Sequence, residues 1–352
     1  MTVLALNCGS SSVKYAVFAG DEPVLRAELT GVTDHPAAVH AVFDELDRRG
    51  VDRPVAVGHR IVHGGPDHFE PVIVDDAILA ELERVVPLSP LHLPIELAAI
   101  AAVRKRFGAL PQAACFDTGF HRALPEVARR FALPAALGVR RYGFHGLSYE
   151  YVVSVLPADR VRRAVFAHLG SGASMVAVRD GRSIDTTMGL TPTGGLVMGT
   201  RSGDLDPGVL VYLLEHGYDA HGLARLVDHE AGLLAISETT ADMRSLLDRR
   251  AADRRAALAV EVFCYHARKA IGAFAAVLGG LETLVFTGGI GEHAAAIRTD
   301  ICRDLAYLGI EIDETRNAAG ARSVGTGVCE VRVVPTDEER MIARHTGRLV
   351  AG

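Results

Sequence analysis

The 352 residues contain no CxxC pair, no GxxxxGK[ST] motif and no tryptophan. The five cysteines, Cys8, Cys115, Cys264, Cys302 and Cys329, are odd in number and widely scattered. That pattern argues against a disulfide or zinc framework and for reduced thiols in a cytoplasmic protein. Without GxxxxGK[ST], a Walker-type phosphate loop is excluded. Long uncharged runs are lacking too. One of the two longest, Thr186–Thr200, is broken by Gly189, Pro192, Gly194, Gly195 and Gly199, too short and too interrupted to cross a bilayer. No positive side chain precedes Lys14, and the N-terminal residues alternate like a strand, so no signal peptide is expected. Lys plus Arg number 37 against 43 Asp plus Glu, a net charge of −6. This mild acidity argues against nucleic-acid binding by bulk charge and leaves room for local basic clusters around an anionic ligand. Neither a nucleic acid nor a membrane is expected as a partner. The missing tryptophan excludes no function.

Apolar residues make up 49% of the chain, enough for a substantial core and too many for low-complexity disorder. The length suggests about two domains. Thr2–Leu6 reads as a strand, Asn7–Ser12 as turn material, Val13–Phe18 as a second strand, and Gly20-Asp21 turns the chain into Val24–Leu29. A similar unit recurs near the middle: Ala164–Leu169, the turn Gly170-Ser171-Gly172, Ser174–Val178, then the hairpin signal Asp180-Gly181 before Ser183–Asp185. The two resemble a degenerate internal repeat, although glycine-rich hairpins also resemble one another by chance. Between them, strands are expected at Val55–Val62 and Ala113–Phe116, and helices at Ile78–Val86 and Ile95–Phe107. A long helical pattern runs from Ala251 to Leu281. Leu284–Phe286 and Val331–Val334 are the last expected strands. Alternating elements indicate an α/β architecture.

Three glycine-rich turns follow strands, at Gly9–Ser12, Gly170–Ser174 and Gly288–Gly291. Bare backbone N–H groups can approach an anion there, though any single turn could need glycine for shape alone. Gly289-Ile-Gly291-Glu-His-Ala294 fits G-x-G-x-x-A, with Glu311 and Asp313 downstream, as in a dinucleotide-binding oxidoreductase. Only about 60 residues follow, too few for the usual domain of that kind. His59 and His63 have the spacing of a helical zinc pair, but Arg60 replaces the expected Glu, and Ile61 and Val62 favour a strand.

Eight blocks then occur in order: LNCGSSSVKY (Leu6–Tyr15), GHRIVHGG (Gly58–Gly65), CFDTGFH (Cys115–His121), RYGFHGLS (Arg141–Ser148), HLGSGAS (His168–Ser174), DTTMGLTPTGGLVMGTRSGDLDP (Asp185–Pro207), FTGGIGEH (Phe286–His293) and PTDEERMIAR (Pro335–Arg344). Together they resemble the acetate kinase family of acetate and propionate kinases, from Leu6 to Arg344. The resemblance implies two similar α/β domains of the actin-like ATPase (ribonuclease H-like) fold flanking a nucleotide cleft. The first would comprise 1–119 plus a returning helix in 338–352, and the second 120–337, carrying the adenosine site. It implies reversible phosphoryl transfer from MgATP to acetate, with Mg2+ or Mn2+ as the metal, ATP/ADP as substrate, and a homodimer.

A small carboxylate is already ionised at neutral pH, its pKa lying near the roughly 4.3 of a Glu side chain. The reaction therefore needs charge neutralisation and in-line placement rather than a base. By the resemblance, Arg60 grips the carboxylate, Arg201 meets substrate and transferring phosphoryl, and His145 donates to the equatorial oxygens. Asp117 orients the substrate or a metal-bound water. Asn7 and Glu338 match the metal-holding residues. Thr336-Asp-Glu-Glu339 also reads as a capping box, with Thr336 as N-cap, which gives Glu339 a structural role and leaves Glu338 for the metal. Val62, Leu91, Phe144 and Pro192, with Arg60, match the acyl pocket, though core packing explains the apolar four equally well. Ser10, Ser12 and Lys14, then His168, Gly170, Ser171 and Gly172, match the phosphate turns. Asp242, Met243 and Arg244, with Gly289, Ile290, Gly291 and neighbouring His293, match the adenosine site.

The chain departs from the family pattern at several points. Ser171 and His293 replace Asn, Leu93 replaces the Asn of PLHNP, Thr193-Gly194 replaces Leu-Glu, and the chain is shorter than typical members. Propionate as the main substrate stays open, because one methylene shifts discrimination by only about 1–3 kcal/mol. A non-catalytic ATP-binding switch on the same fold is the alternative from another class.

Overall fold

The computed structural model describes residues 1–9 and 12–351. The chain divides into two compact units: Met1–Arg122 with Phe144–Ser154 and Asp337–Gly352, and Ala123–Gly143 with Val155–Thr336. Phe144–Ser154, within the stretch expected for the second domain, clusters with the first unit.

In the first unit, β1 (Thr2–Cys8), β2 (Ser12–Ala19) and β3 (Glu22–Thr30) form an antiparallel meander. Next come β4 (Ala56–Ile61), β5 (Val72–Ile73) and β6 (Gln112–Phe116), giving the order β3-β2-β1-β4-β6-β5. β1, β4 and β6 run parallel. Helices His35–Arg48 and Leu93–Phe107 cover one face, burying Val39, Val42, Phe43 and Leu46 against Leu4, Leu6 and Val17. Helix Glu338–Ala351 covers the other, with Met341 and Ile342 against Val3, Ala5 and Ala16. That helix lies so close to β4 that a Cβ on Gly58 would stand 2.1 Å from Thr346 Oγ1. Only glycine permits the approach.

The second unit repeats this plan. β7 (Arg163–Leu169), β8 (Ala173–Arg179) and β9 (Arg182–Thr186) form the meander, and β10 (Thr283–Thr287) and β11 (Glu330–Val333) add in parallel. The order β11-β10-β7-β8-β9 mirrors that of β6, β4, β1, β2 and β3. Asp180 and Gly181 both have positive φ, 52° and 74°, as the tight hairpin expected there requires. The long helix runs from Arg254 to Leu278, capped by Asp253 and ended by Gly279 in the left-handed region.

Two local expectations are corrected. Asn7 is not turn material: β1 pairs with β2 as far as Cys8 opposite Val13, which places Asn7 opposite Lys14 in the ladder. Thr336 is not the cap of the last helix. Asp337 takes that role, Oδ1 accepting from Arg340 N at 3.1 Å, because Arg26 of β3 holds the Asp337 carboxylate at 2.9 and 2.5 Å.

Candidate active site

In the first unit the polar side chains gather at the carboxyl ends of β1, β4 and β6, where ligands of parallel α/β sheets collect. Asn7 and Arg60 sit near the ends of β1 and β4, and Asp117 follows β6, its N–H bonded to Ile61 O at 2.9 Å. Arg60 Nη2 donates to Asp117 Oδ2 at 2.5 Å, and Asp117 is fully buried. Burial pushes the Asp117 carboxyl up to about 6 against the pull of Arg60, with Glu338 adding to the rise. Burial works against the Arg60 charge, yet Asp117, Glu338 and Glu96 outweigh it and hold the guanidinium above its usual range.

Asn7 Nδ2 donates to Glu338 Oε2 at 2.9 Å and to Glu339 Oε1 at 3.1 Å. Glu339 is thus not the partner of a capping box; it faces Asn7 beside Glu338. Burial and the Glu338 charge push Glu339 above the usual carboxylate range. Two adjacent carboxylates gathered by one amide form an oxygen-rich, negatively charged donor set, which fits a hard divalent cation. Among the described residues, no group of three or more His, Cys, Asp or Glu could hold a metal unaided. Mg2+ suits such a sparse set, because it keeps waters and substrate phosphates as ligands.

His145 has φ of +58°, a conformation that costs energy outside glycine. Its neighbour explains the placement. Gly146 N donates to Asp117 O at 2.9 Å, and a Cβ on Gly146 would meet that oxygen at 2.1 Å. The Phe-His-Gly block is therefore pinned to the Asp117 loop. Val62 and Phe144 are buried, and Phe144 lies edge-on to His63 at 5.5 Å. Leu91 is half-buried. Leu93 belongs to the core with Ile61, Leu82 and Phe116, so this departure fills space rather than lining the site. Ser12 is half-buried in β2 and Lys14 is exposed. Ser10 lies outside the described residues. His59 is buried in β4, bonded to Gln112 at 2.8 Å.

In the second unit three turns converge at the end of β7. Gly170 N donates to Gly172 O at 3.1 Å, and Gly199 N donates to Ser171 O at 3.0 Å, with Ala241 packed against Gly199. Gly288 abuts the Leu169 carbonyl, whose oxygen would lie 2.8 Å from any Cβ placed there, and Gly291 faces Ala167 O. His168, Gly170, Ser171 and Gly172 therefore stand beside the helix Gly288–His293 that carries Gly289 and Ile290, while Ala241 leads into Asp242, Met243 and Arg244. Asp242 caps the helix Met243–Arg249 through Ser245 N at 2.9 Å, and Met243 is buried. Arg244, Ser171 and His293 are exposed. Arg201 Nη1 donates to the carbonyl of buried Pro192 at 3.1 Å. Its loop is closed by Asp204 Oδ1 accepting from Gly195 N at 2.7 Å. The Thr193 departure has a local use, its hydroxyl donating to Asp228 at 2.5 Å.

Sequence reasoning missed Glu292, Glu96 and Asp337. Glu292 Oε1 accepts from Gly288 N at 2.9 Å and Thr336 N at 3.0 Å, fixing the Gly288–Gly291 turn. The FTGGIGEH block contained that signal.

Two α/β units with one repeated strand order, each gathering polar groups and glycine turns at its strand ends, have the architecture of two actin-like ATPase domains. The chain belongs to the acetate kinase (Acetokinase) family, whose profile matches residues 20–344. It is 44% identical to an acetate kinase of Nitrobacter hamburgensis over 386 aligned positions, covering 98% of this chain and 95% of the relative. Among solved structures, Porphyromonas gingivalis acetate kinase aligns with a TM-score of 0.89 at 35% identity, covering 99% of both chains. A propionate kinase from Francisella tularensis aligns with a TM-score of 0.93 at 34% identity, again over 99% of both. The protein is a kinase of this family.

Proposed function

We propose that the protein transfers the γ-phosphoryl group of MgATP directly and in line to acetate, giving acetyl phosphate and ADP, and catalyses the reverse reaction. The observation that carries this reading is the buried Arg60–Asp117 pair at the ends of β4 and β6, in the electrostatic reach of Glu338. The planar guanidinium suits a carboxylate. Val62, Leu91 and Phe144, with Pro192, take the methyl group, and Arg60 fixes the carboxylate oxygen that attacks phosphorus. His145 and Arg201 donate to the transferring group, whose charge spreads over its equatorial oxygens. Asn7 and Glu338 would hold Mg2+, which supplies charge neutralisation at the phosphates. Asp117 orients substrate or a metal-bound water. Ser10, Ser12, Lys14, His168, Gly170, Ser171 and Gly172 receive phosphate. Asp242, Met243, Arg244, Gly289, Ile290, Gly291 and His293 receive adenosine.

Propionate is the second reading, supported by the likeness to a propionate kinase structure. A homodimer in the cytoplasm completes the proposal. Five free buried cysteines support a reducing compartment. The helix Pro207–Glu215 supports the dimer, because Val209, Leu210, Val211, Tyr212 and Leu214 are exposed on it, and such a patch marks an interaction surface.

The test is acyl hydroxamate formation from MgATP and hydroxylamine with formate, acetate, propionate and butyrate in parallel. Product is expected with acetate and propionate, lost in Arg201→Ala. ATP binding without product from any acid would overturn the kinase reading in favour of a switch.

A further inference from the structure

Arg60 is flanked by two carboxyl groups. Opposite Asp117, its Nη1 lies 3.7 Å from Glu96 Oε1. Glu96 comes from the helix Leu93–Phe107 and is 1% exposed. Its Oε2 accepts from Val62 N at 2.9 Å, so one side chain touches both the proposed carboxylate grip and the wall of the acyl pocket. Glu96 Oε1 and Arg60 Nε are both buried without a hydrogen-bond partner. Nothing in the mechanism above uses Glu96.

The charge count makes the residue consequential. With Asp117 and Glu96 both ionised, the single charge of Arg60 faces two negative neighbours before Glu338 is added. An incoming carboxylate would meet net repulsion in a site too buried for water to screen it. With Glu96 neutral, the Arg60–Asp117 pair is balanced, and Arg60 can turn its unpartnered donor to a ligand.

We propose that Glu96 is a positioning residue whose own protonation controls carboxylate binding at Arg60. The acid binds the form in which Glu96 is neutral, so once the free site has ionised, each carboxylate enters together with one proton taken from solution.

This rests on Arg60 as the carboxylate grip. Burial raises the Glu96 pKa to about 8, partly offset by Arg60 and the Val62 N–H and reinforced by Asp117. The groups facing it are Arg60 of β4, Asp117 after β6 and Cys8 of β1. Asp117 titrates near 6 and Cys8 near 12, which leaves the interval between to Glu96. Helices His35–Arg48 and Asp76–Val85, also packed on Leu93–Phe107, contribute no charged group to it among the described residues.

The experiment follows KM for acetate from pH 6.5 to 9.5 at saturating MgATP, with KM for MgATP measured alongside. In wild type the acetate KM is expected to be flat to about pH 7.5 and to rise about tenfold per unit above pH 8, as loss of one proton dictates. The MgATP KM should not share the rise. Glu96→Gln, neutral at every pH, should give a flat acetate profile, about tenfold below wild type at pH 9. Glu96→Asp should restore a slope. Calorimetric titration of wild type with acetate at pH 9, in buffers of different ionisation enthalpy, should show uptake of about one proton. That readout decides the matter even if the Gln variant does not fold. A flat wild-type profile with no proton uptake, or an equal slope in Glu96→Gln, overturns the proposal. Failure of wild type to bind acetate at any pH, 6.5 included, would instead overturn the acetate reading on which this proposal rests.

Discussion

Replacing Asp337 by alanine should damage both the stability of the first unit and its use of metal. The carboxylate takes two bonds from Arg26, at 2.9 and 2.5 Å, and two from Arg340, from Nε at 2.8 Å and from the backbone N–H at 3.1 Å. Loss of a helix cap costs about 1 kcal/mol. Hydrogen bonds to charged groups contribute about 1.5–3 kcal/mol each when buried, but Arg26 is 41% exposed, so that part needs a heavy discount for solvent screening. A total of about 2–4 kcal/mol follows, with Asp337→Asn losing about half because it keeps the cap. Burial raises the Asp337 pKa, but Arg26 and Arg340 outweigh it and leave the carboxyl below its usual range. Its stabilisation is therefore fully present above the unfolded value of about 3.9 and lost as pH falls through the lower folded value. Wild type and mutant should differ fully at pH 7 and converge in acid. Circular dichroism during urea unfolding suits a protein without tryptophan. Because Glu338 is the next residue, the Mg2+ concentration for half-maximal activity should rise several-fold. A loss below about 0.5 kcal/mol together with an unchanged Mg2+ dependence would refute the reasoning.

Other outcomes follow from the same geometry. As pH falls through about 6, Asp117 protonates and kcat/KM should drop, a limb that Asp117→Asn should lack along with most of its activity. Glu292→Ala strands the N–H groups of Gly288 and Thr336 and should raise KM for ATP about fivefold, roughly 1 kcal/mol, with KM for acetate unmoved. Gly58→Ala forces a methyl against Thr346 and Ile342 and should destabilise by about 1–3 kcal/mol or more. Burial pushes Cys8, Cys115, Cys264 and Cys329 up to about 12, so iodoacetamide at pH 8 should spare the native protein and label it after unfolding.

Periodicity and turn chemistry made most of the architecture legible. Asp180-Gly181 and the long helical pattern before Leu278 announce local geometry, and local geometry is what sequence encodes most directly. The duplicated meander could be suspected from two glycine-rich hairpins, and the matching strand order supports it. What escaped was decided by partners far along the chain. Thr336 and Asp337 are both good caps, and Arg26, 311 residues away, selects Asp337. Glu339 suits a capping box until Asn7 is placed beside it. Glu96 sits in an apolar helix with nothing nearby in sequence to mark it, and its meaning comes from Arg60 and Val62 on another element. Leu93 looked like a change at the site because a motif does not say which way a side chain points.

The helix Glu338–Ala351 also dictates an order of events. It lies on the strand that begins at Thr2, and Asn7 and Glu338 are 331 residues apart in the chain. During synthesis at roughly 5–20 residues per second, the face of the first sheet that this helix covers must wait many seconds for it, shielded meanwhile only in part by Leu147 and Tyr151. The intervening unit has its own complete sheet by Val333 and can fold meanwhile. A chain cut before Glu338 should therefore lack both a carboxylate of the proposed metal site and one cover of its first sheet, and should behave as a substrate for chaperones rather than as a slower enzyme.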